Sequence, residues 1–347
     1  MYKVGICGHF GEGKNLLNGQ TVKTKILTEE LAKQLGENEV TTIDTHGWKK
    51  NPIMLLIRIF QLSKNCENVI ILPATRGVKV FAPLFLLINK LFHRKLHYVV
   101  IGGWLPEMLK DNSKLKNQLA MFSGLYVETH TMIKALNSIG LSNVYYIPNF
   151  KPLKVLTENE LVYPKEETYK LCTFSRVMKE KGIEDAIEAV KKVNYELNRV
   201  AYSLDIYGQI EQGYEERFDQ LKKGFPRYIS YKGLVPFAKS TEVLKNYFAL
   251  LFPTSYEGEG FPGTVIDAFS AGVPVIATDW RYNSEIITHG ENGLIHNSGV
   301  DSLSKVLIEA VNKPEKILSI RKNCINEAEK YRSQTVVKKF IEKLELH

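Results

Sequence analysis

Glu259 and Asp267 flank the run Pro262-Gly263-Thr264-Val265, a spacing that sets two carboxylates beside a place for a phosphate. The stretch from Ser255 to Thr278 reads as strand end, tight turn, helix, turn and strand. Pro262 suits a first helical turn and Gly263 permits close approach. The N–H groups of Gly263, Thr264 and Val265 are therefore expected to point out of the helix start, where no intrahelical carbonyl accepts them. Such a helix start binds phosphate. Glu259 falls just before it, Asp267 is expected two turns along the helix, and both carboxylates can accept hydrogen bonds from hydroxyls. Carboxylates beside a phosphate imply a phosphorylated polyol.

Arg176 and Lys181 stand five apart in Phe174-Ser175-Arg176-Val177-Met178-Lys179-Glu180-Lys181-Gly182-Ile183, at a strand end and a helix start. A diphosphate leaving group gains negative charge as its bond breaks, and preorganised cations stabilise that charge. Arg176 can do so bidentately. A third element is the loop from Gly8 to Thr21, whose Gly11, Gly13 and Gly19 let the backbone approach a ligand. Gly8-x4-Gly13-Lys14-Asn15 is one residue short of a P-loop, with Asn15 where a magnesium-binding Ser or Thr should stand. Helical periodicity resumes only near Thr21, whereas a P-loop lysine opens its helix, so the nucleotide-hydrolase reading is the weaker one. Gly208 and Gly233-Leu234 follow strands. His9, His46, Trp104 and Glu128 lie at strand ends of the first half, where such sheets bind ligands and where an acid or base can stand.

These residues need a scaffold of parallel strands. Apolar runs at Lys3–Cys7, Val40–Thr45, Asn68–Ala74, His97–Gly103, Gly124–Thr129 and Val144–Pro148 alternate with helix-like segments, which predicts one parallel sheet. A polar stretch holding Glu158, Glu160, Pro164, Glu166 and Glu167 reads as a linker. A second sheet is expected from Lys170–Arg176, Tyr202–Gly208, Ile229–Gly233, Ala249–Thr254 and Pro274–Thr278, with helices over Ile183–Leu197 and Val243–Tyr247. The fold class is α/β: two Rossmann-like domains with parallel sheets facing across a cleft. The expected boundaries are 1–152, 168–332 and a C-terminal helix at 333–347. Val336, Val337, Phe340, Ile341 and Leu344 give that helix one apolar face, with which it is expected to pack back toward the first domain.

The chain has 347 residues, 44% hydrophobic and 24% charged, an ordinary globular composition long enough for two domains. Its four cysteines are scattered singly, without metal-ligand spacing, and read as reduced thiols. No basic n-region with an apolar run opens the chain, so a cytoplasmic location is expected, at the inner face of a membrane. The net charge of +8 lies in the first half, where residues 1–150 hold 18 Lys and Arg against 10 Asp and Glu. Pro52–Leu62 and Val78–Phe92 are apolar with basic flanks. Neither can span a bilayer, and Pro83, Asn89 and Lys90 interrupt the longer one. They read as core helices or as helices on a membrane surface, and this apolar content argues for peripheral membrane contact rather than nucleic acid.

The segment from Glu259 to Asp267 resembles the E-x7-E signature of the retaining glycosyltransferases of family 4, which have the two-domain GT-B fold. It continues through Glu285-Ile286-Ile287 to Gly290-Glu-Asn292-Gly293, similar to that family's E-I-I-x-x-G-x-N-G, and Arg176 to Gly182 is similar to its R-x4-K-G. Asp267 stands where the family has its second glutamate, so a ribose contact there is expected to be longer or water-mediated. The resemblance implies metal-independent, retaining transfer from a nucleotide-diphosphate sugar, a UDP-sugar first and a GDP-sugar second, with no cofactor. It implies Glu259, Arg176 and Lys181 as catalytic. Gly11, Gly13, Gly19, Gly208, Leu234, Gly263, Thr264, Val265 and Asp267 would bind donor. His9, His46 and Trp104 are the acceptor or acid/base candidates. No D-x-D motif occurs, so Arg176 and Lys181 would replace a metal. The acceptor implied is a glycan or lipid-linked glycan, as in surface polysaccharide or lipopolysaccharide synthesis. A nucleotide-sugar epimerase of the same fold and a non-catalytic nucleotide-sugar or glycan-binding protein are the competing readings.

Overall fold

The computed structural model describes every residue of the chain except 12, 14–18, 166 and 347. The chain divides into two compact units. The first holds Met1–Pro152, Gly258–Phe261 and Tyr331–His347, and the second Leu153–Glu257 and Pro262–Lys330.

The first unit is built on β1 (Tyr2–Gly8), β2 (Val40–Asp44), β3 (Cys66–Ile71), β4 (Lys95–Val99), β5 (Gly124–Val127) and β6 (Val144–Tyr146), in the order β2-β1-β3-β4-β5-β6 and all parallel. Val4 pairs with Val40 on one side and Asn68 on the other. Its helices are α1 (Gly19–Leu35), α2 (Pro52–Asn65), α3 (Thr75–Phe92), α4 (Leu105–Lys110), α5 (Ser113–Leu119) and α6 (His130–Ser138). Strands buried on both faces need near-continuous apolar sequence, and β5 has it.

Several expected strands ran too long. Leu72, Pro73 and Ala74, for example, lie beyond β3, because apolar burial continues into the loop after pairing ends. The stretch with Pro83 is one helix: the ring removes a ladder hydrogen bond without ending α3. No helix among the described residues is long and apolar enough to cross a membrane.

The second unit carries β7 (Tyr169–Phe174), β8 (Tyr202–Tyr207), β9 (Ile229–Gly233), β10 (Ala249–Phe252), β11 (Val275–Thr278) and β12 (Gly293–His296) in the order β12-β11-β10-β7-β8-β9, again parallel. β12 was not expected; only four residues long, it pairs through Val275↔Gly293 to Thr278↔His296. The helices are α7 (Ile183–Glu196), α8 (Glu215–Lys223), α9 (Ser240–Leu244), α10 (Gly263–Ser270), α11 (Asn283–Ile286), α12 (Val300–Asn312), α13 (Pro314–Ser319) and α14 (Arg321–Ala328). Ile183, Ile187, Val190 and Val193 of α7 recur at helical spacing and share a core with Leu303, Leu307 and Val311 of α12. Each such side chain contributes about 1.5–3 kcal/mol by leaving water.

The last helix, α15 (Ser333–Lys343), joins the first unit. Val336, Val337, Phe340 and Leu344 enter its core beside Leu27 and Leu31 of α1, and the Phe340 ring meets Tyr126 edge-on at 4.6 Å. Ser333 Oγ donates to Glu30 Oε2 at 3.0 Å. The chain returns there through a backbone bond from Lys151 N–H to the Tyr331 carbonyl.

Candidate functional site

In the second unit β7 ends at Phe174, a short 3-10 turn covers Lys179–Lys181, and α7 starts at Ile183. Gly182 joins them at φ 70°, and a Cβ there would fall on the carbonyl of Pro253. A left-handed residue packed on backbone must be glycine, and this turn buries Lys181, which is 8% exposed. Its Nζ lies 4.8 Å from the centre of the Tyr256 ring and 5.5 Å from that of Phe252. Arg176 reaches the same tyrosine, with its guanidinium carbon 5.6 Å from the ring centre, while Nη1 donates to Glu211 Oε2 at 3.0 Å. Burial opposes the Arg176 charge, but Glu211 and Tyr256 outweigh it and raise its pKa.

The two cations predicted from spacing thus meet on one ring. Tyr256 itself was not singled out, although an aromatic just before the Glu259 segment was the available signal. Hydrogen bonds on both sides hold its loop. Tyr256 N–H donates to Thr254 Oγ1 at 3.2 Å, its carbonyl accepts from Trp280 Nε1 at 3.0 Å, and Ser255 N–H donates to the Glu180 carbonyl at 2.8 Å.

α10 begins at Gly263 behind an extended Pro262. Of the three N–H groups expected to face outward, that of Val265 is turned back to the Pro262 carbonyl at 3.1 Å. Thr264 Oγ1 is buried without a hydrogen-bond partner. Asp267 is the fifth residue of α10, little more than one turn in rather than two, and 6% exposed. Gly208 follows β8. Its N–H donates to the Gly233 carbonyl at 2.9 Å and its carbonyl accepts from Tyr231 Oη at 2.8 Å, so both backbone groups are engaged within the unit. Leu234, just past β9, is exposed.

At the strand ends of the first unit the polar groups bind each other. His9 Nδ1 is 2.8 Å from Thr21 Oγ1, and His9 Nε2 is 3.1 Å from His46 Nδ1. Asp44 Oδ1 accepts from the N–H groups of Phe10 and His46. Burial lowers the His9 pKa; Asp44 opposes this and His46 adds to it. Trp104 donates from Nε1 to the Ile101 carbonyl at 2.8 Å and stands before α4. Gly11 is buried, Gly13 is exposed, and Gly19 opens α1. Lys14 and Asn15, on which the P-loop reading turned, lie outside the described residues, as does Glu166 of the expected linker.

Glu128, at the end of β5, is buried rather than placed to meet an acceptor. Its Oε1 accepts from Lys23 Nζ at 2.5 Å, and its Oε2 accepts from the N–H groups of Phe261 at 3.1 Å and Gly102 at 3.3 Å. Asn149 Nδ2 donates to the Phe261 carbonyl at 2.9 Å. A Cβ on Gly260 would lie 2.5 Å from Glu128 Oε2 and 2.7 Å from the Gly102 Cα. Glu128 thus fixes the segment Gly258–Phe261, which carries the 7%-exposed Glu259. Among the described residues no group of three His, Cys, Asp or Glu is placed to hold a metal ion.

Residues 158–331 match the model of the family described as Glycosyl transferases group 1. The chain belongs to that family. A 33% identical relative over 156 residues is the UDP-N-acetylglucosamine--peptide N-acetylglucosaminyltransferase GtfA subunit of Streptococcus gordonii; the match takes in 43% of this chain and 28% of that protein. A glycosyltransferase of Methanocaldococcus jannaschii is 26% identical over 65% of this chain and 52% of its own. The chain therefore spans about half or less of these relatives. Anabaena HepE, solved in complex with UDP-glucose, superposes with a TM-score of 0.75 at 14% identity over 99% of this chain and 100% of its own. The two parallel six-stranded sheets are those of the GT-B fold.

Proposed function

We propose that this protein transfers a sugar, with retention and without a metal, from a UDP-sugar to a glycan or lipid-linked glycan, as a member of glycosyltransferase family 4. GDP-sugar is the second donor. The observation that carries this reading is the convergence of Arg176 and Lys181 on the Tyr256 ring. Cations held in place before reaction stabilise a leaving diphosphate without reorganising. UDP as the nucleotide is supported by the UDP-glucose bound to HepE and by the name of the streptococcal relative.

In this reading residues 1–152 recognise acceptor, residues 168–332 hold donor and residues 333–347 complete the first domain. The bond from the anomeric carbon to the β-phosphate oxygen breaks, the acceptor oxygen bonds to that carbon on the same face, and the departing phosphate takes the acceptor's proton. Arg176 and Lys181 stabilise the UDP formed. Gly263 and Thr264 hold phosphate at the start of α10, Asp267 approaches the ribose and Glu259 positions sugar hydroxyls. His9 and His46 are the acceptor-side candidates, with Trp104. The work is done at the inner face of a membrane, in surface polysaccharide or lipopolysaccharide synthesis.

Calorimetric titration with UDP, GDP and ADP tests the reading. Micromolar binding of UDP, lost in Arg176→Ala, is expected, followed by transfer from the matching UDP-sugar only when acceptor is present. Binding of none of the three would overturn it, and conversion of the donor to its epimer without acceptor would replace it.

A further inference from the structure

Helices α2 and α3 each bury one side and leave the other uncovered. Leu55, Ile59 and Leu62 of α2 and Val78, Phe81 and Phe85 of α3 face the core. On the outer side of α2, Ile53, Ile57 and Phe60 recur at i, i+4 and i+7, exposed by 70%, 47% and 42%. On α3, Val80, Leu87 and Leu91 recur at i, i+7 and i+11, exposed by 41%, 63% and 69%. Each set is one stripe of a helix. The Phe60 ring meets the Phe92 ring edge-on at 5.0 Å, which joins the two stripes into one surface. Met54 and Leu56 widen it. Single exposed apolar residues are ordinary, but a contiguous band across two helices marks an interaction surface.

Charge identifies the partner. Neither helix contains an acidic residue. From residue 45 to residue 106 the chain has nine Lys and Arg against the lone acid Glu67. Lys49, Lys50, Arg58, Lys64, Lys79 and Lys90 are all exposed around or on the band. Apolar side chains fringed by cations suit a bilayer surface that offers acyl chains beneath a layer of phosphates. A second copy of the same face would bring like charges together.

We propose that the outer faces of α2 and α3 form one docking surface for an anionic lipid bilayer. The band enters the boundary between headgroups and acyl chains, and the cations engage lipid phosphates. No spanning is involved. The proposal rests on the membrane location in the proposed function and names the surface that would make the contact; because its test reads lipid binding alone, its failure is distinguishable from a failure of sugar transfer.

The test is co-sedimentation of the full chain with phosphatidylcholine vesicles and with vesicles containing about one third phosphatidylglycerol, at low and high salt. Binding is expected to the anionic vesicles at low salt, about tenfold weaker or more at high salt or without phosphatidylglycerol. The double variant Ile57→Ser/Leu87→Ser should lose about tenfold while keeping its melting temperature, since neither side chain is in the core. Arg58→Glu/Lys79→Glu should lose binding without touching the apolar band. A chain that stays in the supernatant with anionic vesicles at low salt overturns the proposal. So does an apolar double variant that sediments as well as the parent. Light scattering that finds a dimer, abolished by Ile57→Ser/Leu87→Ser, would give the face to a second copy instead.

Discussion

Each unit of the molecule buries a lysine, and the two are held in different ways. Lys23 in the first unit is 3% exposed and meets Glu128, itself 3% exposed, at 2.5 Å. Lys181 in the second is 8% exposed and lies over the faces of Tyr256 and Phe252. A carboxylate at 2.5 Å neutralises an ammonium, and the pair then serves the fold by anchoring Phe261 and Gly102. Both ammonium groups lie over rings, Lys23 at 5.7 Å from the centre of Phe150, so an aromatic face alone does not distinguish them. Lys23 is locked into a pair that fixes backbone, whereas Lys181 shares the Tyr256 ring with a second cation, Arg176, and gathered cations are what a leaving diphosphate requires. The same distinction separates the tightly interbonded His9, His46 and Asp44 from Arg176, whose partners are an exposed carboxylate and a ring.

The sharpest way to break this contrast is to remove each lysine. Lys23→Met leaves Glu128 buried and uncompensated, and a stability loss of about 3–5 kcal/mol is expected by urea unfolding. The double variant Lys23→Met/Glu128→Leu should recover a large part of it, because replacing both partners removes the orphaned charge. A Lys23→Met protein as stable as its parent would show that the pair is not structural. Lys181→Ala should do the reverse. Its melting temperature changes little, whereas kcat with UDP-sugar falls about 10²–10³-fold, roughly 2.7–4 kcal/mol of barrier. A stability loss in Lys181→Ala as large as that in Lys23→Met would erase the distinction.

A pH titration sharpens it further. His97 of the first unit is buried between Asn68 Oδ1, 3.0 Å from Nε2, and Tyr126 Oη, 3.2 Å from Nδ1. Burial, reinforced by the charge of Lys95, lowers its pKa from 6.5 to about 3. The unfolded chain therefore binds a proton that the folded chain refuses between those values. Stability is complete above pH 6.5 and falls by about 1.4 kcal/mol per unit of pH toward 3. His97→Gln should flatten that slope in acid unfolding followed by circular dichroism. An unchanged slope would assign acid lability elsewhere.

The pattern of what could be read from sequence follows the same physics. Strands such as β5 and β11, and the apolar face of α15, were legible because burial on a sheet or along a stripe dictates residue type. β12 was not, since two of its four residues, Leu294 and Ile295, are only half-buried and the run is too short to carry a period. Arg176 and Lys181 were found by spacing. Tyr256, on which both rest, and the Lys23–Glu128 pair, 105 residues apart, depend on how distant loops meet, and no local pattern encodes that.

The smallest expected effect bears on whether the start of α10 is built for a ligand or for the fold. Thr264 Oγ1 is buried and unpartnered, an arrangement that costs the folded state without return unless something binds there. Valine has the same shape and no hydroxyl. Thr264→Val should therefore leave the ligand-free protein as stable as the parent or more stable by up to about 1 kcal/mol, while UDP binds about tenfold more weakly. Both can be read from one set of thermal melts with and without UDP, because a ligand that binds only the folded chain raises the melting temperature in proportion to its affinity. A destabilised ligand-free variant would mean that the hydroxyl serves packing. An unchanged UDP shift would take the Thr264 hydroxyl out of the donor site and leave the N–H groups at the start of α10, with Arg176 and Lys181, to hold the diphosphate.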